Sequence, residues 1–128
     1  MKQVRLLEYS GRVVRGIGYG RKLGFPTANL DRRQWAREKL GLRHGVYAGI
    51  ALLPSSKQYP AGIVIGPNDA RGLPKIEAHL IGFRGNLYNK QLTLHIRQFI
   101  RPYKTFANLV LLKKQIASDL KIAAKVAF

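Results

Sequence analysis

Apolar and polar residues alternate with a period of two along most of the chain, and the period becomes helical only near its end. Val4 to Tyr9 and Gly11 to Arg15 read as two short strands around a break at Ser10-Gly11. Gly45 to Leu53 has the pattern of a buried strand, and Pro54-Ser55-Ser56-Lys57 closes it with turn residues. Gln58 to Gly66 is the return strand, and the stretch from Gly66 to Pro74 is a loop dense in Gly, Pro, Asn and Asp. Lys75 to Phe83 alternates again, turns at Arg84-Gly85-Asn86 and leads into Leu87 to Ile100. There Leu92, Leu94, Ile96 and Gln98 are expected to share one face. From Asn108 onward, Leu109, Leu112, Ile116, Leu120 and Ala123 recur at three- and four-residue spacings, the apolar stripe of a helix. Asn108 is the expected N-cap, with Lys113, Lys114, Lys121 and Lys125 on the polar side.

A shorter helix is predicted from Arg32 to Leu40, capped by Asp31 and ended by Gly41. Its Trp35 should pack inward, and Arg32, Arg33, Arg37 and Lys39 should face solvent. Five or six antiparallel strands at short spacing followed by one amphipathic helix predict a mainly β fold, a small closed barrel with the helix packed across it. No repeat or linker interrupts the pattern, so residues 1–128 are expected to form one domain.

Charge adds a partner class. Lys and Arg number 23 against 6 Asp and Glu, a net +17, which attracts polyanions such as nucleotides, nucleic acid or anionic lipid. The basic residues are spread along the chain rather than gathered in a tail, so incidental polyanion binding is expected, without a dedicated nucleic-acid partner. The absence of cysteine excludes disulfides and thiolate metal sites and fits a reducing compartment. His44, His79 and His95 are too scattered for a zinc motif, and no apolar run suggests a membrane span or a signal-peptide core. A cytoplasmic monomer is the expectation.

Candidate chemistry starts in the stretch from Gly11 to Leu30. Gly16, Gly18 and Gly20 let the backbone aim several N–H groups at one anion, with Arg21 and Lys22 beside them. Pro26 then presents Thr27 and Asn29 on one side of an extended segment. A hydroxyl and an amide carbonyl are hard oxygen donors suited to Mg²⁺ that takes its other ligands from water and substrate phosphates. A glycine-rich hairpin followed by a Pro-led turn explains the same residues without chemistry.

In Lys75-Ile76-Glu77-Ala78-His79-Leu80-Ile81, alternation sets Glu77, His79 and Ile81 opposite Ile76, Ala78 and Leu80. Phosphoryl transfer to an alcohol needs a base that orients the hydroxyl and accepts its proton, and Glu77 suits that role. An ion pair with a neighbouring Lys or Arg on the barrel surface is the other reading of Glu77. Arg101, Tyr103, Lys104 and Phe106 sit between the last strand and the helix, suited to a planar, electron-poor ring or else to a loop anchored by Phe106 in the core.

Together these segments resemble the riboflavin kinase (flavokinase) family. The stretch from Gly11 to Leu30 is similar to its Gly-x-Val-Val-x-Gly-x-Gly-x-Gly…Leu-Gly-x-Pro-Thr-Ala-Asn signature. Gly45-Val46-Tyr47-Ala48-Gly49, Glu77-Ala78-His79-Leu80, Leu87-Tyr88, Arg101-Pro102 with Lys104 and Phe106, and Gln115-Ile116 with Asp119 follow in order. The resemblance implies a six-stranded barrel that transfers the γ-phosphate of ATP to the 5′-hydroxyl of riboflavin, giving FMN and ADP. It implies Thr27 and Asn29 as holders of a divalent metal such as Mg²⁺ and of nucleotide phosphates, with Glu77 as the base. Gly16, Lys22, Leu80, Gly82 and Tyr88 match nucleotide-binding positions, and Arg101, Lys104 and Phe106 match flavin-binding ones. Departures are Gly82-Phe83 for the frequent Asp-Phe, Tyr88-Asn89 for Tyr-Gly, and Gly66-Pro67-Asn68-Asp69 in place of an Asn-Pro-Thr loop. Many bacterial members are also fused to an adenylyltransferase domain, and no such domain is read in these residues.

Overall fold

The computed structural model describes residues 7–15, 27–38 and 41–126. Its strands are β1 Leu7–Val14, β2 Ala28–Leu30, β3 Gly45–Leu52, β4 Gln58–Asn68, β5 Pro74–Leu80 and β6 Gln91–Pro102. They close into one antiparallel barrel in the order β1-β2-β5-β4-β3-β6. Helix α1, Arg33–Glu38, lies beside β1, and helix α2, Leu109–Val126, lies across β3, β4 and β6. Among the described residues no helix is long and apolar enough to cross a membrane.

Alternation produces the core. Ile76, Ala78 and Leu80 of β5 point inward to meet Ile63 and Ile65 of β4, Leu92 and Leu94 of β6, and Tyr9 of β1. Fully burying each of the larger aliphatic side chains contributes about 1.5–3 kcal/mol. Burial pushes the Tyr9 hydroxyl up to about 12, while that hydroxyl donates to the Asp31 carbonyl at 2.7 Å. Trp35 packs on the core edge, 6.2 Å from the Tyr9 ring, as its place in the short helix predicts. The Asp31 carboxylate accepts from the Arg33 amide at 2.9 Å, which caps α1. Asn108 caps α2 through the Leu111 amide, also at 2.9 Å.

The strand break expected at Ser10-Gly11 does not occur. β1 pairs with β6 without interruption from Leu7↔Ile96 to Arg12↔Gln91. Gly11 serves close approach rather than a turn, since a Cβ there would lie 2.7 Å from the Asp31 carbonyl oxygen. Three further expectations also need correction. Gln98 is exposed and does not share the face of Leu92, Leu94 and Ile96, because the β3–β6 register steps between Ala48↔Gln98 and Gly49↔Ile96. Leu109, placed on the apolar stripe of α2, is 51% exposed, because the helix meets the barrel only from Leu112 onward. Arg32, expected in solvent, instead turns to Asp69 at 2.6 Å.

Candidate active site

Three chain ends meet at one mouth of the barrel: the end of β1, the start of β2 and the end of β5. The pairings Val14↔Asn29 and Asn29↔Glu77 set these residues side by side on the outer face. Side chains directly opposite across an antiparallel pair stand about 4.5–5.5 Å apart at Cβ. The neighbouring pair, Ala28↔Ala78, faces the core, and its small side chains let β2 and β5 close the barrel over Leu30 and Ile76. Thr27, immediately before β2, is half-buried on the same side as Asn29.

A cavity of about 650 Å³ opens at this mouth. Thr27, Asn29, His79, Leu80 and Tyr88 line it, with Arg15 and Arg84. Arg15 lies over the Tyr88 ring at 4.8 Å. Gly82 lies outside this lining, exposed, and its φ of +85° turns the chain out of β5. Asn89 adopts a φ of +66°, the left-handed region where the family pattern has glycine and which asparagine tolerates. The substitution therefore preserves the turn that carries Tyr88. Gly16, Gly18, Gly20 and Lys22 lie outside the described residues.

The Glu77 side chain is 17% exposed and receives Lys75 Nζ at 2.6 Å. This contact is the ion pair of the surface reading, and the strand register sets Glu77 opposite Asn29. Among the described residues no three His, Asp or Glu side chains converge as metal ligands. The oxygen donors at the mouth are the neutral ones of Thr27 and Asn29, which suits a hard cation that takes its remaining ligands from phosphate and water.

The row of paired residues continues round the outside of the barrel: Asn29↔Glu77, Glu77↔Val64, Val64↔Val46, Val46↔Arg101. Three strand spacings separate Glu77 from Arg101, about 14 Å along the curved sheet. Two register steps on β6 bring Arg101, rather than Phe99, opposite Val46. Arg97 is the extra residue of the first step and Ile100 of the second, so the alternation slips twice before Arg101. Gly49 accommodates the first step, since a Cβ there would lie 2.1 Å from the His95 carbonyl oxygen.

On this outer face Arg101 meets α2. Its Nε donates to the Asp119 carboxylate at 3.0 and 3.1 Å and its Nη2 at 2.8 Å, while Gln115 Nε2 donates to the same carboxylate at 2.9 Å. Asp119 is 4% exposed, the only buried charged residue among those described. Phe106 stands beside this pair, its ring centroid 5.5 Å from the Arg101 guanidinium and 5.2 Å from Lys104 Nζ. Arg101, Lys104 and Phe106 are thus together, with most of the Arg101 donors committed to the helix. Sequence reasoning assigned no role to Asp119, Gln115, His79, Arg15 or Arg84. Asp119 carried a usable signal, a carboxylate falling within the apolar stripe between Ile116 and Ala123. His79 also carried one, sharing the Glu77 face by alternation.

Known proteins extend these observations. A protein from Mycoplasma pneumoniae named bifunctional riboflavin kinase/FMN adenylyltransferase is 40% identical over 116 residues, covering 90% of this chain and 40% of the relative. A crystal structure titled macrolide-efflux protein from Streptococcus pneumoniae has a TM-score of 0.77 at 26% identity, over 92% of this chain and 38% of that one. The crystal structure of riboflavin kinase from Trypanosoma brucei has a TM-score of 0.69 at 23% identity, over 92% of this chain and 77% of that one, a likeness of fold. The chain spans less than half the length of the curated relatives it matches. The riboflavin kinase family model matches residues 4–127, the whole barrel with its helix, and on that match the chain belongs to the riboflavin kinase (flavokinase) family.

Proposed function

We propose that this domain transfers the γ-phosphate of ATP to the ribityl 5′-hydroxyl of riboflavin, giving FMN and ADP. The observation that carries this reading is the direct pairing of Asn29 with Glu77 at the mouth of the cavity. It sets a carboxylate beside neutral oxygen donors, in a family that phosphorylates an alcohol. The nucleotide lies in the cavity against Leu80 and Tyr88, its phosphates directed at Thr27 and Asn29. The 16–26 segment, with Gly16, Gly18, Gly20 and Lys22, joins β1 to Thr27 and contributes to the same phosphates. A divalent cation such as Mg²⁺, held by Thr27 and Asn29, would neutralise charge on the transferring phosphoryl group.

Riboflavin lies along the outer row, its ring toward Arg101, Lys104 and Phe106 and its ribityl chain toward Glu77. Glu77 orients the 5′-hydroxyl and takes its proton as the oxygen bonds to the γ-phosphorus. The bond from that phosphorus to the β,γ-bridging oxygen breaks, and ADP leaves with the bond's electrons. Lys75 Nζ, 2.6 Å from Glu77, steadies the carboxylate at the mouth.

Incubation with riboflavin, ATP and Mg²⁺ should yield FMN, and Glu77→Gln should lower kcat by ~10²–10⁴-fold. Lys75→Met separates the two readings of Glu77. A surface ion pair is worth about 0.2–1 kcal/mol of stability, so if Glu77 only serves Lys75, both variants should have similarly small effects. Turnover unchanged by Glu77→Gln removes Glu77 from the mechanism.

A further inference from the structure

The described lining of the cavity contains Arg15, His79 and Arg84 and no carboxylate. Arg84 heads the turn between β5 and β6. Gly85, at φ +135°, and the Asn86 side chain, which accepts from the Tyr88 amide at 2.8 Å, fix that turn. Arg84 itself is exposed and makes no hydrogen bond, ion pair or ring contact with another described residue. Arg15, also in the lining, is steadied over the Tyr88 ring at 4.8 Å. A solvent-facing guanidinium on a fixed turn, in one cavity lining with a second one on an aromatic ring, suits bidentate recognition of phosphate. A nucleoside polyphosphate also carries more negative charge than one divalent cation neutralises, and this lining offers nothing to repel the excess.

We propose that Arg84, together with Arg15 of the same lining, clamps the polyphosphate of a nucleotide in this cavity, and that the clamp retains a nucleoside diphosphate without a divalent cation. The inference rests on the cavity being the nucleotide site. Arg84 would then be a binding residue of this chain outside the family signature, and the product nucleotide would stay bound after the metal leaves.

Calorimetric titration of the whole chain with ADP, once with Mg²⁺ and once with EDTA, tests both levels separately. ADP should bind in EDTA, and Arg84→Ala should weaken that binding about tenfold, the worth of one lost charge-assisted hydrogen bond. Lys113→Ala, which removes one exposed charge from α2, should change it less than about twofold. Binding by the unaltered chain only when Mg²⁺ is present overturns the clamp and leaves the cavity assignment standing. Equal losses in the Arg84 and Lys113 variants also overturn it, by tracing the attraction to the general +17 field. Failure of ADP to bind in either condition removes the nucleotide from the cavity altogether. FMN titrated in EDTA distinguishes the source of the phosphate, because FMN binding that depends on Arg84 while ADP binding does not would assign the clamp to the flavin product.

Discussion

The two halves of the outer face are built in opposite ways. Around Asn29, β2 is three residues long and meets β1 and β5 through two residue pairs each. Around Arg101, β3 runs eight residues against β4 and β6, and α2 is locked on by a buried carboxylate. The first half presents neutral oxygens and one uncommitted guanidinium, that of Arg84, at a cavity. The second spends its charged groups on one another. Under the proposed function, the half that exchanges a polyanion at each turnover keeps a donor free, whereas the face that receives the flavin ring is assembled in advance. Substitutions in the two halves should therefore fail differently, one in turnover and the other in folding.

The largest effect on folding should come from Asp119→Ala. It strands the Arg101 guanidinium, whose side chain is only 18% exposed, and removes the acceptor of Gln115. Breaking one side of a buried pair costs about 3–5 kcal/mol, and the residual exposure of Arg101 places the expectation at the lower end. Thermal or denaturant unfolding reads it directly. Thr27→Ala and Asn29→Ala are the counterpart: each should lower turnover at least tenfold and change stability by less than about 1 kcal/mol. If Asp119→Ala leaves the unfolding midpoint in place, or Asn29→Ala lowers it as much, the contrast between the halves is wrong.

A smaller effect separates the helix start from its anchored middle. Asn108→Ala should cost about 1 kcal/mol, because the Leu111 amide loses its cap. Leu109, Val110 and Leu111 are exposed and add little packing there to compensate. Hydrogen exchange should rise in the first turn of α2 and stay unchanged around Asp119.

Much of this division could be read from the chain. The period-two runs and the final helical stripe predicted the barrel and α2, and the caps at Asp31 and Asn108 formed where the residue types required them. Non-local consequences could not be read. The twofold slip on β6 depends on how close Gly45 and Gly49 let β6 approach β3, so Gln98 turned out against simple alternation, while Arg101, outward either way, came to lie opposite Val46. The Arg101–Asp119 pair joins residues 18 apart with a change of element between them. Gly11 misled for a related reason, because a glycine that ends a strand and one that admits a neighbouring carbonyl look alike in sequence. At the candidate site, alternation set Glu77 and His79 on one face, but their meeting with Asn29 depends on barrel closure.

The smallest predicted effect concerns what holds the short strand in place. Asp69, in the loop between β4 and β5, pairs with Arg32 at 2.6 Å and accepts from the Arg71 and Leu73 amides at 2.9 and 3.2 Å, and Arg32 also donates to the Leu73 carbonyl. This clasp ties the segment after β2 to the start of β5, supplementing the two backbone pairs there. Desolvation alone would raise the Asp69 carboxyl, but the Leu73 amide, the Arg32 guanidinium and the Arg71 amide together hold it below its ordinary value of 3.8. A carboxyl depressed in the folded state contributes stability that is fully present above its unfolded pKa and is lost as pH falls through the folded one. The unfolding midpoints of the unaltered chain and of Asp69→Asn should therefore differ by a constant amount from pH 7 to pH 5 and converge below about pH 4. A gap that persists undiminished at pH 3 would show that the clasp acts through loop geometry instead of charge. A gap absent at every pH would leave β2 held by its backbone pairs and its core contacts alone.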